Sequence, residues 1–313
     1  MPRAVRFDEY GGIDVLHVIE VEPPEPGEGQ LLLQVRAAGL NPFETKLRSG
    51  LFEGHIPVSF PAAQGTDVAG IVTAAGPGVT GFKTGAEVLG TTGRRGAQAD
   101  YALVSQTRVL ARPAALPWEV AGGLWAVATA AYACVAAVGA GPGDRVIVAG
   151  AAGGVGGLAA QLARRRGAVV IGIASEAGHP WLRSRDIDAV AYGDGLRERL
   201  ETAAATHAAA GSEKPTALID TVGRGYVELG LELGIAPARI NTIADYEAGE
   251  RHGVKTDGSD AAATVEVVGE VAELIAAGEL ELPIAGVFGL ERVRDAYTLL
   301  EHGHPPGKIV LEP

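Results

Sequence analysis

RVIVAGAAGGVGGLAAQLARRRGAVVIGIAS, residues 145–175, is the stretch whose reading decides the fold. It reads as strand, tight glycine turn, helix and second strand. That order makes it the opening βαβ unit of a dinucleotide-binding domain. Val146, Ile147, Val148 and Ala149 form a short, non-alternating apolar run, as expected of a strand buried on both faces. Ala151, Gly153 and Gly156 occupy the places of the three glycines of G-x-G-x-x-G. Gly153 and Gly154 remove side chains where backbone N–H groups must approach a pyrophosphate, and Gly156 lets helix and strand pack closely. Val155, Leu158, Ala159, Leu162 and Ala163 recur at helical spacing, giving one apolar face. Arg164, Arg165 and Arg166 then suit the negative end of the helix dipole, and Gly167 suits a left-handed C-cap.

Working outward, the 313 residues suit two domains. A net charge of −12 argues against nucleic acid or an anionic membrane as partner. No apolar run is long enough for a membrane span, and the acid-containing first thirty residues differ from a secretory leader. The cytoplasm is therefore the expected compartment. Cys134 is the single cysteine, which excludes an internal disulfide or a multi-cysteine zinc site. Its setting, AYACVAAV, favours a buried packing residue over a nucleophile.

Before the glycine turn, strands are expected at 3–8, 16–22, 30–37, 65–72, 86–90 and 97–104, with one helical turn at 44–48. Strands punctuated by glycine turns and without βα alternation predict a barrel-like β domain. Residues 118–138 read as one helix despite Gly122 and Gly123. After the βαβ unit, a helix at 196–210, a strand at 216–220, a helix at 225–234 and a strand at 239–244 continue the alternation of a doubly wound parallel sheet. The polar stretch 245–260 reads as an exposed segment and domain boundary. Helices are expected at 265–277 and around Leu290, Val293, Tyr297 and Leu300. GKIVL at 307–311 is a closing strand that returns to the β domain. The expected division is 1–117 with 257–313, and 118–256.

In this order, the segments AAGLNPFETKLRSG, GTDVAGIV, GPGVTGFKTGAEVLG, AQADY, AVATAAY, PGDRVIVAGAAGGVGGLAAQLARRRGA and GKIVL resemble the zinc-free quinone oxidoreductase branch of the medium-chain dehydrogenase/reductase superfamily. The resemblance spans nearly the whole chain. It implies an α/β molecule with a Rossmann domain, a GroES-like β-barrel catalytic domain and a cleft between them. It also implies NADPH-dependent reduction of quinones or α,β-unsaturated carbonyls, and a homodimer formed near residues 239–256. Zinc-dependent relatives need an early cysteine ligand, where this chain has Asn41-Pro42-Phe43-Glu44, so no metal is expected. His302 and His304, the one close histidine pair, read as a solvated feature of a helix C-terminus.

The resemblance also nominates site residues, each set against an ordinary structural role. Asn41 is a cleft residue bonding the nicotinamide ribose or substrate, or else a turn-former before proline. Thr129 lies beside the nicotinamide, or else bonds back to its own helix. Lys46 and Arg48 either polarise a substrate oxygen or decorate an exposed turn. The glycine turn, Ala151, Ala152, Gly153, Gly154, Val155 and Gly156, receives the pyrophosphate. Val222, Thr242 and Ile243, with Asn241, follow later strands where the family flanks the nicotinamide, or are simply loop residues. Lys308 reaches the phosphates or cleft, or is a solvated lysine at a strand start. Asp67 and Asp220, acids within apolar strands, read as hydrogen-bonded structural carboxylates.

About twenty residues past the glycine turn, a carboxylate would bond the ribose 2′-OH of NAD. Here Ser175 stands there, suiting the 2′-phosphate of NADPH, but Glu176 follows it. Positive charge would come from His179, Arg183 or Arg185, with NADH as the alternative cofactor. Two rival functions remain. One is a cofactor-binding sensor without turnover. The other is a biosynthetic reductase or cyclase acting on an imine or Michael acceptor, suggested by Glu44, Trp118, Trp125 and Gly289.

Overall fold

Strand β1 (Arg3–Phe7) pairs antiparallel with β2 (His17–Glu20), Arg3 opposite Glu20, and begins the first of two units. In this computed structural model, every residue except Arg94, residues 207–213 and His304 is described. The units are Met1–Ala126 with Thr264–Pro313, and Val127–Ala263. The division thus falls near the start of a helix and after residue 263, where the sequence placed it at 117/118 and 256/257.

The first unit is built on β3 (Gln30–Gly39), whose Leu31, Leu33 and Val35 point inward while Gln34 and Arg36 face solvent. That alternation is the sequence signal of a half-buried strand. Through Leu40 and Asn41 it enters α1 (Pro42–Arg48), where Pro42 suits the first helical position and Glu44 the first turn. β4 (Ala62–Ala63) returns to β1, completing a three-stranded sheet. β5 (Asp67–Ala75) runs antiparallel along β3, with register shifts between Leu32 and Leu33 and between Val35 and Ala37 that bend the sheet. β6 (Glu87–Thr91) lies beyond β5, β7 (Tyr101–Ser105) takes the other side of the first half of β3, and β8 (Val109–Ala111) covers β6. The strand expected at 97–104 thus begins only at Tyr101, because 97–100 bend away with a single bridge from Ala99 to Ala4.

The single helix expected over 118–138 is two, α2 (Trp118–Gly122) and α3 (Leu124–Val138). Tertiary packing sets the break. A Cβ on Gly122 would lie 2.5 Å from the Ala37 carbonyl oxygen, and one on Gly123 would lie 2.7 Å from Lys308 Cγ. These two glycines let α2 press against the end of β3.

In the second unit β9 (Arg145–Ala149), wholly buried, leads to α4 (Gly154–Arg165) and β10 (Val169–Ala174). α5 (His179–Arg183), β11 (Asp188–Ala191), α6 (Leu196–Thr206), β12 (Ala217–Asp220), α7 (Tyr226–Glu232) and β13 (Ile240–Thr242) follow. The helix expected over 196–210 is described to Thr206, and its last positions lie outside the described residues. The parallel sheet has the order β11-β10-β9-β12-β13, which reverses direction at β9. Its core gathers Ile147, Ile171, Leu218 and Ile240.

Residues 245–260 are mostly exposed, as their polarity suggested, but they form ordered structure that returns to the sheet, and the division between the units falls after Ala263. Asp245 caps α8 (Tyr246–His252), its Oδ1 accepting from the Ala248 N–H at 3.0 Å. The chain then returns to the sheet, where Lys255 N–H donates to Ile240 O (3.0 Å) and Thr242 N–H to Lys255 O (2.9 Å). Ala248 and Gly249 are buried in doing so.

The chain re-enters the first unit through α9 (Val265–Ala276). β14 (Ile284–Gly289), which the sequence reading missed, pairs parallel with β15 (Lys308–Glu312). Its glycines and lack of alternation explain the omission. Between them α10 (Val293–Thr298) passes directly into a π-helical turn, Leu299–Gly303. β15 pairs antiparallel with the end of β3, Val310 opposite Gly39, so the closing strand does return to the β domain. Among the described residues no helix is long and apolar enough to cross a membrane.

Candidate functional site

The glycine turn leaves the start of α4 clear of side chains. Gly150 takes a left-handed conformation (φ 77°), and the N–H groups of Gly150 and Ala151 both donate to Ile173 O on β10. Gly153 caps α4 with no side chain, and the first bond to the helix backbone is from Gly157 N–H to Gly153 O at 2.8 Å. The N–H groups of Gly154, Val155 and Gly156 therefore have no partner among the described residues, and they sit at the positive end of a twelve-residue helix. A Cβ on Gly156 would lie 2.2 Å from Gly150 O, so only glycine allows this helix to approach the turn. Ala151 and Ala152 are buried beneath it. A pyrophosphate matches these donors in charge and in number.

At the end of β10 the structure separates residues that the sequence grouped. Ser175 and Glu176 are exposed, and so is Arg183, which has no ion-pair partner among the described residues. His179 instead turns inward, 9% exposed, with Nε2 donating to Ala174 O at 3.3 Å. Arg185 lies 4.6 Å from the centre of the Trp181 ring. Tyr192, missed in the sequence, is 61% exposed. Ala174 pairs with Ala191 across β10 and β11, so Ser175 and Tyr192 leave the sheet at the same level. An isolated tyrosine after a short strand carries no sequence signal of that placement.

Asp220 is the structural carboxylate expected of it. Its Oδ1 accepts from the N–H groups of Val222 (2.9 Å) and Gly223 (2.8 Å), and its Oδ2 accepts from the Thr242 hydroxyl (2.7 Å). Thr242 Oγ1 in turn accepts from Ala244 N–H and Asp245 N–H, so this side chain is committed to the strand end. Ile243 N–H donates to Asp220 O, and Val222 is left 39% exposed. Asn241 clamps residue 257, donating to Asp257 O and accepting from Asp257 N–H, and also donates to Cys134 Sγ at 3.3 Å. Burial pushes the Cys134 thiol up to about 12, against the Asn241 hydrogen bond. Thr129, fully buried on α3, pairs its hydroxyl with that of Ser259 at 2.5 Å.

The second cluster lies in the first unit, around Asn41. Its Nδ2 donates to Asp67 Oδ2 (3.2 Å) and Thr66 Oγ1 (3.3 Å), while its Oδ1 accepts from Lys308 Nζ. Lys308 is 4% exposed and its Nζ stands 3.5 Å from Asp67 Oδ2, so it is not the solvated lysine that was one alternative. Asp67 is buried in this contact and also accepts from Ala126 N–H. The turn role of Asn41 holds, since it precedes α1 in extended conformation, and its amide is engaged by Thr66, Asp67 and Lys308. Arg48 is neither exposed nor aimed at a substrate. It is 1% exposed, donating to Glu301 Oε1 (2.6 Å) and Gly12 O (3.0 Å). Lys46, half-buried on the same helix, has no side-chain hydrogen bond among the described residues.

Glu44, which the sequence marks only as unusual, is the hub beneath this cluster. At 2% exposure its Oε2 accepts from Asn41 N–H (3.1 Å), Gln98 Nε2 (3.3 Å) and the Tyr297 hydroxyl (2.7 Å), and its Oε1 accepts from Thr66 N–H (3.0 Å). Burial raises the Glu44 carboxyl above its ordinary range, opposed by the hydrogen bonds from Tyr297 and Asn41. Burial and the adjacent Glu44 likewise raise Tyr297 well above the ordinary tyrosine value. Gln98 and Tyr297 are 54 and 253 residues away in sequence, which is why no local pattern reveals the group. Among the described residues no three His, Cys, Asp or Glu side chains are arranged to hold a metal ion. His302 is exposed with Nδ1 near Thr298 O, and His304 lies outside the described residues.

Known proteins agree with this architecture. Residues 27–117 match the alcohol dehydrogenase GroES-like domain family, and residues 203–311 match the zinc-binding dehydrogenase family. The chain is 30% identical over 325 aligned positions to the 2-methylene-furan-3-one reductase of Solanum lycopersicum, covering 99% of this chain and 79% of that protein. It is 37% identical to the human quinone oxidoreductase over 55% of this chain, a match that spans about half (52%) of that relative. The quinone oxidoreductase structure from Coxiella burnetii superposes with a TM-score of 0.85 at 25% identity, covering 100% of this chain and 99% of that one. With a GroES-like β domain, a Rossmann domain and relatives over its full length, the chain belongs to the quinone oxidoreductase branch of the medium-chain dehydrogenase/reductase family.

Proposed function

We propose that this protein is a zinc-independent, NADPH-dependent reductase of quinones or α,β-unsaturated carbonyls. The observation that carries the reading is the side-chain-free N-terminus of α4, where the N–H groups of Gly154, Val155 and Gly156 have no partner among the described residues and Gly156 must be glycine to pass Gly150 O. Those groups, with Ala151 and Ala152 beneath them, hold the pyrophosphate. Ser175 donates to the 2′-phosphate, Arg183 supplies charge beside it, and the Tyr192 ring flanks the same strand ends. When bound, NADPH supplies hydride from C4 of its nicotinamide.

The chain's own contribution is orientation and charge. Lys308, held by Asn41 and Asp67, fixes a buried positive charge at the start of α1. Lys46 donates to the substrate oxygen that gains negative charge as hydride arrives at the β-carbon or quinone ring. The Thr129–Ser259 hydroxyl pair, half-exposed at Ser259, provides a path for the proton that completes reduction. No side chain has to act as nucleophile, consistent with a sole cysteine that is buried and poorly acidic. Zinc independence is supported by Asn41, Thr66 and Asp67, whose polar atoms are engaged with one another, the Asn41 amide donating to Thr66 Oγ1 and Asp67 Oδ2. The reading extends to a homodimer through residues 239–256 at the sheet edge, which chromatography at known concentration tests.

The reductase of tomato acts, by its name, on an exocyclic enone, and quinone oxidoreductases act on quinones; both classes belong in the test panel. Purified protein, NADPH and that panel should give loss of nicotinamide absorbance, faster than with NADH. Tight NADPH binding without turnover on any member overturns the reading in favour of a sensor.

A further inference from the structure

α1 carries Asn41 at its start and Lys46 in its last turn, so its placement matters to the proposed chemistry. Both ends of this short helix are tied to one distant element. At its start, Glu44 Oε2 accepts at once from Asn41 N–H (3.1 Å) and from the Tyr297 hydroxyl (2.7 Å). At its end, Glu301 Oε1 accepts from Thr45 Oγ1 (3.0 Å) and Arg48 Nη2 (2.6 Å). Tyr297 lies in α10 and Glu301 in the π-helical turn that continues it. A π turn widens the helix to i→i+5 bonding, and such turns recur at functional positions. Here the turn carries Glu301 onto the face where Tyr297 already meets α1. Arg48 closes the group, its guanidinium 4.8 Å from the centre of the Tyr297 ring.

These contacts do more than fill a core. A seven-residue helix has little stability of its own. Glu44 also accepts from Thr66, whose hydroxyl receives one of the Asn41 amide hydrogens. The carboxylate thus fixes Asn41 from two sides, through its backbone N–H and through the Thr66 hydroxyl. Gln64 and Gln98 both donate to the Tyr297 hydroxyl, leaving that hydroxyl's own proton for Glu44 alone. The direction of the bond is therefore set by its surroundings.

We propose that Glu44, oriented by Tyr297 and supported by the Glu301–Arg48 pair, is a positioning residue that holds Asn41 and Lys46 in place for reduction of the substrate without itself setting dinucleotide affinity. This rests on the reductase reading of the same site. A misplacement of about 1 Å near reacting groups costs on the order of a hundredfold in rate.

The test compares Glu44→Gln, Glu44→Asp, Tyr297→Phe and Glu301→Gln in the full-length protein by kinetics and by hydrogen exchange of residues 41–48. Glu44→Gln should exchange at least tenfold faster there, lower kcat at least tenfold and leave NADPH affinity within twofold. Tyr297→Phe should show the same pattern more weakly, and Glu44→Asp should recover part of kcat. Added to Asn41→Ala, Glu44→Gln should cost less kcat than it does in the wild type, because part of its effect runs through Asn41. If Glu44→Gln fails to fold, Tyr297→Phe and Glu301→Gln carry the same comparison. Unchanged exchange at 41–48, or a loss of kcat additive with Asn41→Ala, overturns the inference. Absence of turnover in the wild type overturns the reductase reading, while the exchange measurement still decides whether Glu44 positions α1.

Discussion

Gly156→Ala tests the cradle most sharply. The added Cβ would stand 2.2 Å from Gly150 O and 2.7 Å from Gly150 C, both backbone atoms that cannot rotate away. Carbon atoms pack at roughly 3.5–4.0 Å, so the start of α4 must retreat by about 1 Å. Overpacking of this kind costs about 1–3 kcal/mol, and the gain from replacing a helical glycine by alanine returns less than about 1 kcal/mol. A net loss of about 1–2 kcal/mol follows, or a fall of roughly 2–8 °C in Tm for a protein of this class. The same retreat draws the N–H groups of Gly154, Val155 and Gly156 away from a bound phosphate. Loss of one charge-assisted hydrogen bond, about 1.5–3 kcal/mol, weakens NADPH binding roughly ten- to hundredfold. Gly153→Ala is the paired control. Its Cβ would meet only Gly150 O, at 3.3 Å, and otherwise projects into open space at the helix start. It should weaken NADPH binding while costing at most about 1 kcal/mol of stability, the scale of a helix cap. Thermal unfolding and titration of NADPH fluorescence separate the two outcomes. A Gly156→Ala protein with wild-type Tm and wild-type affinity would refute the reasoning.

Three other outcomes are expected. Burial opposes ionisation of Asp144, yet hydrogen bonds from Arg239, the Thr216 hydroxyl and the Gly141 N–H hold its carboxyl below the ordinary range. Its stabilising contribution is therefore present above the unfolded value of about 3.9 and is lost as pH falls through the lower folded value. Asp144→Asn should cost about 1–3 kcal/mol in urea unfolding at pH 7, with the difference from wild type narrowing as pH falls below the unfolded value; a gap that does not narrow on acidification contradicts this. Cys134, its thiol raised to about 12 and its side chain fully buried, should resist a thiol reagent at pH 8 until urea unfolds the chain; prompt labelling of the native protein would show the burial to be wrong. Arg183→Glu should weaken NADPH about tenfold or more while leaving NADH nearly unchanged, since a lost charge contact to phosphate is worth about 1.4 kcal/mol or more; equal effects on both cofactors would place the 2′-phosphate elsewhere.

Much of the molecule is legible from the chain alone, for a local reason. The glycine turn, the buried strands around it and the helix after it are each specified by neighbours within a few residues. Gly156 has to be glycine because of Gly150, six positions earlier. Alternation at Leu31, Leu33 and Val35 and the closing GKIVL strand are equally local, and they lie where expected. What failed was decided by packing between distant segments. Gly122 and Gly123 end a helix because β3 and Lys308 lie against them, and the polar stretch after Asp245 folds because Lys255 finds an open sheet edge.

The site divides in the same way. That the glycine turn leaves backbone N–H groups free at a helix start is written in one stretch of sequence, because such groups need only the right residues nearby. That His179 turns inward, that Lys308 is buried against Asn41 and Asp67, and that Glu44 joins Asn41 to Tyr297 are facts of tertiary structure. A buried carboxylate is stable only where donors converge on it, and here they come from positions 41, 66, 98 and 297. No local sequence pattern encodes that convergence; the folded chain does.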